Sequence, residues 1–213
     1  MKKFISAIAL SALAFSSAYA AAIPGLYNTG AGAPGSVDQN YALVVAAGDT
    51  NSDRAYISQD SQVRGEWLAN DATSKWITPT NFASASLDPT TAGEYIYSLA
   101  FNLTAEQAAG ASFQARYAGD NEVSVYLNGR LISGASSFGS WTDFGANSGF
   151  LAGGNGLQFI VTNFAQAAGN PTGLRVEFLN SFVPGAVPEP ETYAMMLGGL
   201  ALLGVVARRK QRA

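Results

Sequence analysis

The sequence contains no histidine and no cysteine among its 213 residues. Without these two residue types it cannot form a Ser-His-Asp or Cys-His nucleophilic system. It also cannot build a zinc finger, an iron–sulfur cluster or a disulfide bond. Charged residues are scarce too, at 13% of the chain, against roughly 25% in an average soluble domain. Carboxylate chemistry, oxygen-ligated Ca²⁺ and binding without reaction remain open.

The first 20 residues have the pattern of a secretory signal peptide. Two lysines supply the positive charge, and an apolar stretch follows over residues 4–15. That stretch is too short to span a bilayer core of ~30 Å. Ala18 and Ala20 form a small-x-small cleavage site. We therefore predict a signal peptide over 1–20 that signal peptidase removes, with a short membrane anchor as the alternative.

A second three-part pattern lies at the C-terminal end of the sequence. Pro188, Glu189 and Pro190 precede an apolar stretch over 193–207, which we predict to be a short transmembrane helix. A helix of that length is about 22 Å long, which is short for a permanent span. A basic end follows over 208–212, and the positive-inside rule places it in the cytoplasm. Its basic cluster comprises Arg208, Arg209 and Lys210.

This tail, residues 187–213, resembles the PEP-CTERM sorting signal of Gram-negative bacteria in the order and spacing of its three parts. The resemblance implies processing by an exosortase, a membrane cysteine protease, in hosts that make exopolysaccharide and biofilm. The tail would hold the protein in the inner membrane before processing, and the product would be at the cell surface or extracellular. Such tails are also catalogued as an ice-binding protein C-terminal domain, a label that describes sorting and not ice binding. An ordinary single-pass anchor is the alternative, because hydropathy does not distinguish the two.

Residues 21–186 have the length of a single domain. This segment carries six basic and thirteen acidic side chains, a net charge of −7. An acidic surface argues against a nucleic-acid partner, since phosphates require basic side chains for neutralisation. The charge is compatible with neutral sugars and with cations.

The hydrophobic pattern of this segment is typical of β-strands. Asn128 and Gly129 predict a hairpin, because both residues tolerate positive φ. Thr104 is expected to cap a single helical turn that ends at Gly110. Many short strands separated by turns predict an all-β sandwich or barrel. Apolar and polar residues alternate with period two over 95–103, 113–117, 123–127, 157–161 and 174–178.

Several segments resemble the galactose-binding-like jelly rolls of secreted PEP-CTERM proteins. The resemblance implies a jelly-roll β-sandwich ectodomain whose ligands bind at loops at one end or on a concave sheet face. It implies no shared set of catalytic residues. The segments that carry the resemblance are 75–77, 93–103, 119–129, 154–163 and 170–178.

Asp120 and Asn121 are candidate ligand-binding residues. Carboxylate and amide oxygens bind sugar hydroxyls and Ca²⁺. The alternative is structural, because Asp and Asn at the entrance to a strand often bond their own backbone.

Trp67 and Trp141 are candidate stacking platforms for a sugar ring. Both lie beside polar residues in loop-like sequence, whereas Trp76 is expected to be part of the core. Core packing is the alternative for the first two as well, since large aromatic side chains bury much apolar area.

A weak Ca²⁺ candidate is formed by Asp49, Asn51 and Asp53, whose oxygen ligands alternate as in the first half of an EF-hand loop. The glycine and the glutamate that complete such a loop are missing, and Arg54 and Asp60 stand there instead. A plain turn is the alternative, so no cofactor is assigned.

Polysaccharide hydrolysis would require two carboxylates facing one sugar. Glu66 and Asp71 are neighbours in sequence, as are Asp120 and Glu122, but neither pair is diagnostic. The leading hypothesis is therefore a non-enzymatic binding or structural module associated with extracellular polysaccharide. A carboxylate-based polysaccharide hydrolase and a structural matrix protein without a small ligand are the alternatives.

Overall fold

The computed structural model describes residues 21–46, 54–185 and 190–210. Some of the residues singled out in the sequence lie outside these ranges. They are the signal peptide with Ala18 and Ala20, the Ca²⁺ candidates Asp49, Asn51 and Asp53, and Pro188 and Glu189 of the sorting motif.

The regular secondary structure of the described domain is nearly all β-strand, which confirms the all-β sandwich prediction. Among the residues that the structure describes in this domain, one short helix lies between the strands, and a 3₁₀ turn covers Asp60–Gln62. In chain order the elements are β1 (Val37–Ala46), β2 (Arg54–Ile57), β3 (Ile77–Thr78), β4 (Gly93–Leu103), α1 (Ala105–Gly110), β5 (Ser112–Leu127), β6 (Arg130–Ala146), β7 (Gly153–Asn163) and β8 (Gly173–Phe182).

The eight strands pair antiparallel in the order β6-β5-β7-β4-β1-β2-β3-β8, and an additional pairing between β5 and β8 closes the sheet. Strand β5 makes this closure possible because it has two different partners along one of its sides. Its first half, Ser112–Asp120, pairs with β8, and its second half, Glu122–Leu127, pairs with β7. Strand β6 runs along the other side of both halves.

The two apolar stretches 113–117 and 123–127 therefore belong to one continuous strand. The expectation that Asp120 and Asn121 stand at the entrance to a strand is wrong, since both lie inside β5. The register of β5 against β6 shifts on either side of Gly119. The two residues thus mark the point where β5 passes from β8 to β7.

The core lies between the inward faces of the strands, as the alternation predicts. Along β4 every second residue from Gly93 to Leu103 is buried. Aromatic rings meet edge to face, such as Phe144 with Phe159 at 5.8 Å and 88°. Such pairs add roughly 0.5–1.5 kcal/mol beyond their buried area.

The two local predictions are confirmed. Asn128 and Gly129 have φ values of 51° and 80° and connect β5 to β6. Thr104 caps α1 in a capping box, in which its hydroxyl accepts from the Gln107 amide at 3.2 Å. The Gln107 side chain in return accepts from the Thr104 amide at 2.9 Å, so two of the free N–H groups at the start of α1 are satisfied.

The first and last residues of the domain are also paired with one another. Ala21 and Val183 exchange backbone hydrogen bonds of 3.3 and 2.8 Å, and the Thr29 amide donates to the Val176 carbonyl at 3.1 Å. These contacts join segments that lie more than a hundred residues apart in the chain.

The described residues of the tail form a helix, α2 (Pro190–Lys210), which confirms the helical part of the tail prediction. Pro190 is its first residue, a position where the missing N–H costs nothing. Arg208, Arg209 and Lys210 occupy its last turn, where positive charge is favourable. In the described ranges, no helix combines the length and the apolar character that crossing a bilayer demands.

Candidate functional site

A second, smaller core lies on the outer face of β5. Trp67, Trp76 and Ala118 are buried against each other there, and Phe138 and Trp141 pack on them. We call these five residues the outer tryptophan cluster. The rings of the first two tryptophans lie 4.2 Å apart.

Trp67 is only 5% exposed, so the expectation of an exposed stacking platform is wrong for this residue. Its indole Nε1 donates to Asp120 Oδ2 at 2.9 Å. Trp76 is fully buried, as expected, and donates to the Leu68 carbonyl at 2.7 Å. Both indole N–H groups thus have partners, as burial requires.

Trp141 is half-buried and lies against two guanidinium groups. Arg116 and Arg175 are 4.4 and 4.9 Å from the centre of its ring. These cation–π contacts hold the ring in place beside β5.

A buried ionic network anchors the loop that carries Trp67. Arg175 is 1% exposed and contacts Asp71 at 2.8 Å and Glu177 at 3.3 Å. It also donates to Ser74 Oγ at 2.6 Å and to the Ala69 carbonyl. Burial would raise the pKa of Asp71, but hydrogen bonds from two backbone amides and the Arg175 charge lower it below its usual value.

The network continues across the sheet through Glu177. Arg116 donates twice to Glu177 Oε2, at 2.8 and 2.6 Å. The register places Arg116 between Glu177 on β8 and Asp143 on β6. The outer face of these three strands therefore alternates charge from strand to strand, which favours their pairing.

A groove of about 720 Å³ lies at one end of this outer face. The start of β5 and the end of β6 form that end of the face. The size of the groove is within the range of ligand sites in proteins, ~300–1,000 Å³. Four exposed polar side chains line it, and Asn180 Nδ2 donates to Gln114 Oε1 at 2.9 Å. These four residues are Gln114, Asp143, Asn147 and Asn180.

Sequence reasoning missed the groove residues. Gln114 stands between inward-facing Phe113 and Ala115, so the alternation alone assigns it to an outer face. That signal does not show which strand lies beside it, and the groove exists only because β6 and β8 flank β5.

A smaller cleft of about 180 Å³ brings together three of the four predicted ligand-binding residues. Trp67, Asp120 and Asn121 line it, whereas Trp141 does not. Arg64, Glu66 and Gln166 also line the cleft and supply charge and hydrogen-bonding groups.

Both carboxylate oxygens of Asp120 have partners inside the protein. Oδ2 accepts from Trp67, and Oδ1 accepts from Asn121 Nδ2 at 2.6 Å. Asn121 Oδ1 in turn accepts from the Phe164 amide at 2.7 Å. Burial raises the pKa of Asp120 to about 6, although the Trp67 hydrogen bond opposes the shift.

Glu66, at the mouth of the same cleft, has the opposite tendency. A backbone hydrogen bond and the neighbouring Arg64 lower its pKa from the usual value. The cleft thus contains two carboxyl groups whose surroundings shift their pKa values in opposite directions. Acid–base sites share this arrangement.

Among the described residues, no group of three or more acidic side chains is placed to hold a metal ion. The expected Ca²⁺ candidates lie outside those residues, so that hypothesis stays a prediction.

Residues 186–210 match the PEP-CTERM protein-sorting motif, so the chain carries this motif at its C-terminal end. No curated protein matches the chain in sequence.

The solved structures that are similar to the chain at low identity include three that illustrate the range of matches. A family 29 carbohydrate binding module is 12% identical and covers 81% of this chain and 99% of its own, with a TM-score of 0.39. The CBM36-1 domain of a xylanase from the hindgut metagenome of Trinervitermes trinervoides is also 12% identical. It covers 62% of this chain and 99% of its own, with a TM-score of 0.27. A β-glucosidase from Kluyveromyces marxianus is 12% identical and covers 82% of this chain but 21% of its own, with a TM-score of 0.32.

Proposed function

We propose that this protein is exported, sorted by an exosortase, and placed at the cell surface or in the extracellular matrix, where its β-sandwich binds a polysaccharide without cleaving it. The groove beside Gln114 and Asp143 is the observation that carries the binding half of the proposal. The sorting motif over 186–210 supports the other half.

The groove suits a sugar chain for two reasons. Its exposed amide and carboxylate groups pair with sugar hydroxyls, which both donate and accept hydrogen bonds. It is also larger than the cleft and is lined by strands rather than by a ring of loops, so a chain longer than one sugar can lie along it. Trp141, on the same strand as Asp143, would contact the chain beyond the groove.

The proposed division of the whole chain into a signal peptide, an ectodomain and a sorting tail is the one predicted from the sequence. Signal peptidase removes residues 1–20, residues 21–186 form the ectodomain, and residues 187–213 retain the protein at the inner membrane until exosortase cleaves near Pro188, Glu189 and Pro190. Intact mass spectrometry of the envelope and medium fractions tests this order. Loss of both ends supports it, and an intact C-terminus in the membrane fraction contradicts it.

The binding half is tested on the exported protein by affinity electrophoresis in gels containing the polysaccharide of the native host. Gln114→Ala and Asn147→Ala each remove groups from the groove, and each lost hydrogen bond of about 1 kcal/mol weakens binding roughly fivefold. Gln166→Ala is the matched control, because this side chain is exposed at the cleft instead. Equal retardation of all variants, or none for the wild type, would refute polysaccharide binding in the groove.

Hydrolysis in the cleft is the second candidate function. It is favoured by the shared position of Asp120 and Glu66 and by the separation of their pKa values. Asp120 would donate its proton to the leaving glycosidic oxygen as the C–O bond breaks, and Glu66 would deprotonate the water that adds to the sugar carbon. Release of reducing ends that is lost in Glu66→Gln, and that declines above about pH 6 as Asp120 ionises, would establish this activity. No release at any pH would exclude it.

A further inference from the structure

The groove beside Gln114 and Asp143 has no basic side chain among the described residues that line it. Its polar lining includes the amides of Gln114, Asn147 and Asn180 and one carboxylate, that of Asp143. Amide groups bind sugar hydroxyls as donors and as acceptors, but they do not neutralise a negative charge on a ligand. The side chains of the groove therefore leave it with a net negative charge.

Two arginines lie on the same outer face of the sheet, but both already have partners. Arg116 donates twice to Glu177 Oε2 and lies over the ring of Trp141. Arg175 is 1% exposed and belongs to the buried ionic network. An anionic ligand would have to draw Arg116 away from Glu177, which is almost fully buried. Leaving a buried carboxylate without its partner is costly, so Arg116 is not available to an anion in the groove.

The carboxylate of Asp143 adds to this negative charge. The register sets Asp143 opposite Arg116, yet among the described residues Asp143 has no ion-pair partner. Its side chain is exposed, and residues 21–186 carry a net charge of −7. A uronate or sulfate group in the groove would therefore meet a like charge and no compensating cation, which opposes its binding.

The groove also offers apolar surface to a ligand. Leu179 lines it and is 53% exposed. Phe182 is exposed on the same face, because it is paired with Ser112 of the groove and cross-strand partners share a face. A sugar ring presents C–H groups as well as hydroxyls, so a ring that covers these two side chains removes apolar area from water.

We propose, in a step that rests on the proposed function, that the groove binds an uncharged polysaccharide and rejects chains that carry uronate or sulfate groups. The amides contact the hydroxyls of the chain, and Leu179 and Phe182 contact its C–H groups. Asp143 accepts hydrogen bonds from hydroxyls and repels anionic groups. Because no pair of opposite charges forms, binding should not depend on salt.

The test begins with the extracellular polysaccharide of the native host, which anion exchange divides into an uncharged and an anionic fraction. Affinity electrophoresis of the exported protein is run in gels that contain one fraction or the other, with polymer-free gels as the reference. We expect the uncharged fraction to retard the protein equally at low salt and at ~0.15 M salt. The anionic fraction should bind roughly tenfold more weakly, or less still.

Asp143→Lys tests whether the groove itself makes this choice. The variant replaces the negative charge of the groove by a positive one, so the anionic fraction should now retard the protein at low salt. Glu94→Lys is the matched control, because it makes the same change of charge at an exposed position on β4 that does not line the groove. Circular dichroism of both variants checks that they fold. Asp143→Asn, which only removes the charge, replaces a lysine variant that does not.

The contrary results differ in what they overturn. Wild-type protein that binds the anionic fraction as tightly as the uncharged one, or more tightly, overturns the choice of an uncharged chain but leaves polysaccharide binding intact. No retardation by either fraction contradicts polysaccharide binding itself. An equal gain in Asp143→Lys and Glu94→Lys, or no gain in either, would place the discrimination outside the groove and overturn the proposed selection.

Discussion

Replacing Arg175 by methionine should destabilise the domain strongly, although this residue lines neither the groove nor the cleft. The guanidinium is 1% exposed and is shared by Asp71, Glu177, Ser74 and the Ala69 carbonyl. Removing one partner of a buried ion pair costs roughly 3–5 kcal/mol. Asp71 is half exposed and Glu177 keeps Arg116, so we expect the lower end of this range.

A loss of about 3 kcal/mol in the free energy of unfolding should lower the Tm by roughly 6–12 °C for a domain of this size. Urea denaturation followed by tryptophan fluorescence measures it, because the loop held by Arg175 carries Trp67 into the outer tryptophan cluster. Arg64→Met is the control. Its pair with Glu66 is exposed and 3.5 Å long, and such pairs contribute about 0–1 kcal/mol.

A loss of stability in Arg175→Met that is no larger than in Arg64→Met, with an unchanged m-value, would contradict this expectation. That result would mean that the methionine side chain packs against Trp141 well enough to replace the ionic network, and that the loop is held by its tryptophans alone.

Two further predictions concern single groups. Burial raises the pKa of Asp120 to about 6, so the folded state binds more protons than the unfolded state between about pH 4 and 6. The free energy of unfolding should therefore fall as pH rises through that window, by about 3 kcal/mol in total. Asp120→Asn should flatten this part of the stability–pH curve. Glu122→Gln, at an exposed position, is the control and should leave the slope unchanged. A slope that persists in Asp120→Asn would mean that another group causes the pH dependence. Thr104→Ala removes the cap of α1 and should cost about 1 kcal/mol in urea denaturation, and a change below about 0.3 kcal/mol would show that the capping box adds little to this short helix.

The strands and the local turns of this fold are predictable from the sequence because their signals are local. Alternation reports a half-buried strand whatever its partner, and Asn128-Gly129 forms its turn from its own backbone preferences. The helical turn after Thr104 is equally local.

The continuity of β5 is not predictable in the same way. Gly119, Asp120 and Asn121 have the composition of a turn, and in most contexts they would end a strand. Here they sit where the strand exchanges β8 for β7, and only the pairing of distant strands keeps the chain extended.

The burial of the outer face also escapes sequence analysis. Arg175 and Glu177 alternate with the inward-facing Val176, a pattern that is typical of a solvent-exposed face. They are buried because residues 58–76 fold over β8 and supply Ser74 and Asp71 as partners. Trp67 and Asp120, 53 residues apart in the chain, meet for the same reason.

The pairing of Ala21 with Val183 and of Thr29 with Val176 sets the order in which the chain can fold. A chain that emerges from a ribosome or a membrane channel with its N-terminus first must wait for its last strand before the sheet can close. Contacts between residues so far apart in the sequence form slowly, because the chain loses the entropy of closing the whole loop before it gains the energy of the contacts. The polypeptide therefore stays unfolded while it passes through the ribosome exit or the channel. It becomes resistant to proteases only after nearly the whole domain has emerged.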